Sequence, residues 1–246
     1  MDRYFVWDQD EKFVEQFFAE VLYNHLAIEL NLDLDLDPQA KADYLLNLLF
    51  TRRQVLSELC RASEGNARDF LVLSGKAFTR FRQQTGHQKI GLEEIKTASI
   101  ELYRADKLSN ISTEKPLEDF LSYLMHSVIR EKRSRTFMVQ HGNRFHPLLS
   151  RLYSARILHP LEVEWSHPDR PGERFSLITM DYGAYVSLRG TGSEPEQNAF
   201  WPNDDPRAVE LDLVPLDDRR SIRRIVVPDP VLDDYWRKLE TFSRGP

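Results

Sequence analysis

The spacing of hydrophobic residues changes along the chain, and the change divides it into two parts. From Asp10 to about Arg104, apolar residues recur every three or four positions, which is the spacing of one buried face on an amphipathic helix. Asp37 followed by Pro38 is typical of a helix start, because aspartate caps free backbone N–H groups and proline fits the first helical position. The pattern predicts successive helices over about 10–30, 38–49, 51–65, 66–84 and 92–104.

A polar segment, 105–116, follows these helices and predicts a linker. Beyond it we expect a helix over about 117–132, a short strand at 136–139, a helix over 147–157, and two strands at 161–165 and 175–179. The turn from His167 to Gly172 joins the last two strands into a hairpin. Helix, strand, helix and hairpin is the outline of a winged helix, and Met180 to Ser187 predicts an added edge strand.

The remainder of the chain, 189–246, is rich in proline, aspartate, glutamate and arginine and predicts an extended, partly mobile C-terminal extension. Within it, Ser221 to Val227 is strand-like, and Tyr235 and Trp236 are expected to dock on the body. The predicted fold is therefore mainly α with a small β component. Its domains are a helical bundle over 1–108, a winged helix over 109–188 and the extension over 189–246.

The composition limits the cellular compartments in which we expect the protein. The sequence has no run of 18 apolar residues, so no transmembrane helix is predicted. Its first residues lack the basic and apolar pattern of a signal peptide. The single cysteine, Cys60, excludes an internal disulfide. We expect a cytoplasmic protein that has no membrane contact.

The turn Gly65-Asn66-Ala67-Arg68 carries the most specific motif. It places an arginine in the first turn of a helix, beside backbone N–H groups that suit phosphate oxygens. The segment resembles the sensor-2 turn in the helical lid of origin-recognition-like AAA+ and STAND P-loop ATPases, in which a winged helix follows the lid. The resemblance implies that Arg68 senses the γ-phosphate of a nucleotide.

The phosphate-binding loop of those ATPases is missing from this sequence. A Walker A motif needs Gly, four residues and then Gly-Lys-Ser/Thr, whereas Gly75-Lys76 is followed by Ala77 and lacks the first glycine. We therefore expect the chain alone to bind no cofactor and to be no enzyme. ATP enters only with a P-loop core that lies upstream or on a partner ATPase subunit, and Arg68 then acts in cis or in trans. An oligomer is compatible with this arrangement.

Positive charge is concentrated in a chain whose net charge is −6. Between His126 and Pro160, seven lysine and arginine residues face one acidic residue, Glu131. Because the local field governs attraction of a polyanion, this window predicts contact with the DNA backbone. The candidate nucleic-acid-binding residues lie in the segment before the recognition helix, on that helix and at the hairpin, or wing. They are Arg133, Arg135, Arg144, Arg151, Arg156, Arg170 and Arg174.

Two other classes of function stay open. A winged helix also serves as a protein-interaction module, as in STAND assemblies. A metal-dependent hydrolase or nuclease would draw on Glu162, Glu164, His159 and His167. No His or Cys pair has the spacing of a known metal motif, so the sequence predicts no metal site and no catalytic residue.

Overall fold

The computed structural model describes residues 10–32, 35–83, 88–167, 169–187 and 219–244. The chain forms two compact units, Met1–Leu102 and Tyr103–Pro246, which we call unit 1 and unit 2. The predicted boundary followed residue 108, whereas the compact units divide after Leu102. The predicted fold class, mainly α with a small β component, is confirmed.

Unit 1 is helical, as predicted. Its helices are α1 Glu11–Leu30, α2 Pro38–Leu49, α3 Arg53–Ala62, α4 Ala67–Gln83 and α5 Leu92–Leu102. The Asp37 carboxylate accepts from the Ala40 N–H at 2.9 Å and Pro38 takes the first position of α2, as expected. The N-cap of α3 is Arg52, whose side chain makes no capping hydrogen bond, so that start is defined by the backbone alone.

The core of unit 1 joins α1 to α3 and α4. The Phe18 ring stacks on Phe70 with ring centroids 4.5 Å apart, and both side chains are fully buried. A buried carboxylate, Glu15, lies beside this core and accepts hydrogen bonds from Arg53 Nε at 2.7 Å and Ser57 Oγ at 2.8 Å. The apolar spacing therefore predicted the helices correctly, and the polar partners of Glu15 fix how α1 and α3 pack.

Unit 2 contains all the strands of the named sheet. Its elements are α6 Lys115–Leu124, which continues as a π-helical segment Met125–Arg130, then β1 Thr136–Gln140, α7 Pro147–Ser154, β2 Leu158–His167, β3 Arg170–Met180, α8 Tyr182–Ser187, α9 Arg219–Ile222 and α10 Asp229–Arg244. The predicted order of helix, strand, helix and hairpin is observed. The strands form one antiparallel sheet in the order β1-β3-β2, so the last strand of the hairpin lies in the middle.

Two predictions about unit 2 are wrong: the linker over 105–116 and the edge strand over 180–187. The supposed linker 105–116 is largely helical: Tyr103–Lys107 is a π-helical turn and Leu108–Asn110 a 3₁₀ turn. The supposed edge strand is α8, because Asp181 ends β3 and its carboxylate accepts from the Gly183 N–H at 2.9 Å. The polar residues of 105–116 had suggested a loop, and the β-branched and aromatic residues of 180–187 had suggested a strand.

The C-terminal extension is only partly as predicted. Residues 188–218 lie outside the described residues, and 219–244 are mostly helical rather than extended. The expected strand over Ser221–Val227 is wrong, since α9 occupies its first residues and only Val226 bridges to a strand, opposite Met138 in β1. Docking of Tyr235 is confirmed: its ring lies 5.2 Å from that of Phe120 on α6.

A buried ion pair connects the π-helical turn at the start of unit 2 with the residue that follows β3. Lys107 Nζ lies 2.5 Å from Asp181 Oδ2, and the two side chains are 1% and 2% exposed. His159 Nε2 lies 3.5 Å from the same oxygen. Burial by itself raises the pKa of the Asp181 carboxyl, but the Lys107 ammonium and the His159 ring bring it down to about 2. The carboxylate is therefore ionised in the folded protein and holds the π-helical turn against the end of β3.

Breaking this pair from one side should destabilise the protein strongly. Asp181→Asn keeps the cap on α8 but leaves the Lys107 ammonium buried without its counter-charge, which costs about 3–5 kcal/mol. The double variant Lys107→Met with Asp181→Asn should recover a large part of that loss. Urea unfolding followed by circular dichroism measures both. Equal stability of the single and double variants would contradict the coupling.

The same pair predicts a loss of stability in acid. The folded pKa of Asp181, about 2, is below that of an aspartate in an unfolded chain, about 3.9. Its contribution is therefore complete above about pH 4 and is lost as the pH falls through about 2. The difference in unfolding free energy between wild type and Asp181→Asn should narrow over that range. A difference that stays constant between pH 5 and pH 2 would refute the ionised pair.

Candidate nucleic-acid interface

The candidate recognition helix, α7, forms as the sequence predicts. Pro147 takes its first position, and the Nδ1 atom of the capping residue His146 accepts from the Leu148 N–H at 3.3 Å. Leu148, Leu149 and Leu152 are buried and attach the helix to unit 2. The opposite side presents Arg151 and Ser154 to solvent.

Two of the predicted arginines at α7 have acidic partners. Arg151 Nη2 lies 2.6 Å from Glu114 Oε2, although its side chain remains 53% exposed. Arg156, which follows the helix, is paired with Asp106 and is 16% exposed. The Arg156 charge is thus largely satisfied inside the protein.

A second element lies beside the start of α7. The His146 ring and the Trp236 ring of α10 are 6.2 Å apart, and His146 Nε2 is 3.5 Å from Asp233 Oδ1. An acidic residue of α10 therefore lies beside the N-terminal end of α7, the end that would approach a DNA groove. This contact involves the part of the chain that was predicted to be extended.

The other predicted arginines divide into one with internal contacts and four that reach the surface. Arg135 donates weakly to the Met180 carbonyl, at 3.5 Å, and lies over the Tyr182 ring. Arg144 is half-buried, with its guanidinium 4.3 Å from the centroid of Phe145, whose ring is 58% exposed. Arg170 is near Glu173, at 3.7 Å, on the hairpin. Arg174 and Arg133 are exposed, and neither side chain has an ionic partner among the described residues.

Arg133 also has an unusual backbone. Its φ is 53°, in the left-handed region, where it ends the helical segment that began as α6. The Ser134 N–H donates to the Val128 carbonyl at 3.3 Å, and glycine is the usual residue at a left-handed helix end of this kind. Arginine therefore stands at a position where its side chain costs folding free energy.

The sequence reasoning passed over further arginines in the C-terminal part. These are Arg219, Arg220, Arg223 and Arg224, of which the last two fall within the strand predicted over Ser221–Val227. In the structure Arg220 and Arg224 are exposed, while Arg223 lies over the Trp165 ring at 5.9 Å. The density of arginine in this run was the signal that should have added it to the candidates.

Arg68 lies in the first turn of α4, as the sequence predicts, but the surrounding N–H groups are not free. Its side chain is exposed in the first turn of α4. Asn66 Oδ1 accepts from the N–H groups of Arg68, at 2.9 Å, and Asp69, at 3.2 Å. The expectation of free backbone donors here is therefore wrong, because Asn66 caps the helix. The guanidinium itself remains available.

A groove in unit 1 begins one turn beyond Arg68. It runs along α4 and α5 and has a volume of about 630 Å³. The polar side chains on its walls include Lys76 and an ion pair between Arg80 and Glu101.

Two residues of the hydrolase alternative whose side chains the structure describes, His159 and Glu164, have different partners. His159 is buried against Asp181, whereas Glu164 lies near His141, with Oε1 at 3.4 Å from Nε2. His141 Nδ1 is in turn 2.8 Å from Ser176 Oγ. Ser176 is buried within the central strand, so these three side chains join the turn after β1 to the sheet. The Glu162 side chain lies outside the described residues.

The described part of the chain offers neither a metal-binding cluster nor a membrane-spanning helix. Among those residues, no group of three or more His, Cys, Asp or Glu side chains is arranged to hold a metal ion. None of the helices that the structure describes is both long and apolar enough to cross a membrane.

Comparison with protein-family models, with curated proteins and with solved structures found no match to this chain.

The backbone at Arg133 makes a test of its own. Arg133→Gly and Arg133→Ala both remove the cation, but only glycine adopts a positive φ without a steric cost. We expect the glycine variant to be more stable than the alanine variant by about 1 kcal/mol. Urea unfolding of the two proteins measures this difference. An alanine variant as stable as the glycine variant would show that the left-handed conformation costs nothing there.

Proposed function

We propose that this protein is a non-catalytic, nucleic-acid-associated regulatory module that acts with a P-loop ATPase, with unit 2 serving as a winged helix. The observation that carries the proposal is the sheet order β1-β3-β2 with α7 between β1 and β2, the arrangement that a winged helix uses to present a helix and a hairpin. The surface arginines around this framework supply the charge.

The supporting charge comes mainly from three of the predicted residues. Arg133, Arg144 and Arg174 have no carboxylate partner among the described residues. Guanidinium groups of this kind bind phosphate oxygens in a bidentate manner. Arg151 contributes only if it leaves Glu114, and Arg156 is largely occupied by Asp106. The contact is therefore expected to be with the backbone and weakly dependent on sequence.

The regulatory part of the proposal rests on Arg68. Its exposed side chain at the start of α4 is free to reach a nucleotide that a P-loop core holds, either upstream in the same chain or on a partner subunit. Arg68→Ala should leave stability within about 0.5 kcal/mol of wild type, because the side chain is exposed. It should reduce nucleotide-dependent association with such a core, measured by analytical ultracentrifugation with ATP and with ADP.

The nucleic-acid part is tested by the salt dependence of binding. The whole protein is titrated against a fluorescein-labelled 24-base-pair duplex, with anisotropy as the readout, at several salt concentrations. We expect affinity to fall steeply as salt rises, and Arg144→Gln with Arg174→Gln to reduce the slope of log K against log salt by about 2. The matched control is Arg82→Gln with Arg244→Gln, which removes the same charge from exposed sites elsewhere. A salt-independent isotherm, or no binding, would disprove nucleic-acid contact.

A second candidate function is protein assembly, and one feature favours it. Phe242 on α10 is 50% exposed and lies in a groove of about 440 Å³ that Pro116, Arg237 and Thr241 also line. An exposed aromatic residue beside a groove is typical of protein contacts. Phe242→Ser should then abolish a salt-insensitive association in ultracentrifugation while leaving duplex binding unchanged.

A further inference from the structure

Three exposed cations cluster where the helical segment after α6 ends. Arg130, Lys132 and Arg133 are all exposed, and none has an ionic partner among the described residues. The one acidic residue between them, Glu131, lies 3.3 Å from His126. The chain then enters β1 at Thr136, so these cations lie next to the start of that strand.

The C-terminal part of the chain brings further arginines to the same strand. The Met138 N–H donates to the Ile225 carbonyl at 2.8 Å, and the Val227 N–H donates to the Met138 carbonyl at 2.9 Å. This pairing is parallel, with Val226 opposite Met138, and the turn that contains Arg224 comes directly before the paired segment. Buried Ile222, Ile225 and Val227 anchor the segment.

Both segments adjoin β1, and we name their exposed cations together the basic edge: Arg130, Lys132, Arg133, Arg220 and Arg224. All five side chains are exposed and have no carboxylate partner in the part of the chain that the structure describes. A group of like charges in this arrangement repels itself and lowers its energy by binding a polyanion.

The left-handed arginines strengthen this interpretation by contrast. Arg133 and Arg156 both have a positive φ at a helix end. The Arg156 side chain is paired with Asp106, which compensates its backbone within the protein. Arg133 has no such partner among the described residues, so no ion pair within the protein offsets the conformational cost of its positive φ. Strain of this kind is found at residues whose side chain serves binding.

The candidate recognition helix is less available than the basic edge. Arg151 and Arg156 of the α7 region have Glu114 and Asp106 as partners, and Asp233 of α10 lies near His146 at its start. A phosphate that approached α7 would have to displace these carboxylates. The cations of the basic edge have no carboxylate partner among the described residues, and Glu131 lies beside His126.

We propose that the basic edge binds the phosphate backbone of nucleic acid, and that α9 is therefore part of the interface. This inference rests on the proposed function and assigns its main contact to the edge of β1 rather than to α7. The contact reads charge and not sequence, because arginine and lysine on phosphate carry no base information. Arg224, which the sequence pattern assigned to a strand, thus becomes a phosphate ligand.

The test uses the whole protein and compares two double variants of equal charge. Arg220→Gln with Arg224→Gln removes two exposed cations from the basic edge, and Arg82→Gln with Arg244→Gln removes two from outside it. Each is titrated against the labelled 24-base-pair duplex and an unrelated duplex of equal length. We expect the edge variant to bind both roughly 10-fold more weakly than wild type, with a salt slope lower by about 2. The control variant should match wild type.

The outcomes separate this inference from the proposed function. If wild type does not bind either duplex, the proposed function fails and the inference fails with it. If wild type binds and the edge and control variants behave alike, the basic edge is excluded while nucleic-acid binding stands. Wild-type binding to phosphatidylserine vesicles, lost in the edge variant, with no binding to either duplex, would overturn the inference in favour of a lipid surface. Circular dichroism confirms that each variant is folded.

Discussion

Unit 2 depends on one buried ion pair. Lys107 and Asp181 are far apart in sequence, and their contact joins the first helical turn of the unit to the end of its central strand. Two charges removed from water are tolerated only when they satisfy each other, so this contact fixes a unique arrangement rather than adding much net stability. Asp181 also caps α8 and lies near His159, so one carboxylate sets the ends of a helix, a strand and a turn.

The surface of the unit follows from how each arginine is neutralised. Arg151 and Arg156 face carboxylates on the preceding turns, whereas Arg133, Arg220 and Arg224 face none among the described residues. Sequence alone counts Arg133, Arg151 and Arg156 as equal members of one basic window. The fold separates those that hold the protein together from those that a ligand can reach, and for that reason the proposed contact moves from α7 to the edge of the sheet.

Much of the fold could be predicted because it rests on local rules. The helices of unit 1 follow from apolar spacing, and the start of α2 from the capping preference of Asp37 and the fit of Pro38. The hairpin follows from alternation around a turn. The π-helical turn at Lys107 and the segment after α9 were missed because they depend on contacts with residues distant in sequence, Asp181 and Met138. The start of α8 depends instead on a local cap, in which the Asp181 carboxylate accepts from the Gly183 N–H. The sequence placed Arg130, Lys132 and Arg133 in a basic window, whereas the pairing that brings the C-terminal segment to β1 forms only in the folded chain.

The pairing of Ile225 and Val227 with Met138 has a consequence for the outer side of β1. A strand whose N–H and C=O groups point outward unpaired is a template for another chain. Residues 225–227 occupy that position at Met138, and the buried Ile222 shields apolar surface beside it. A protein shortened before Arg219 would lose arginines and also this covering. It would then be prone to self-association through exposed backbone, a fault easily mistaken for a loss of ligand affinity.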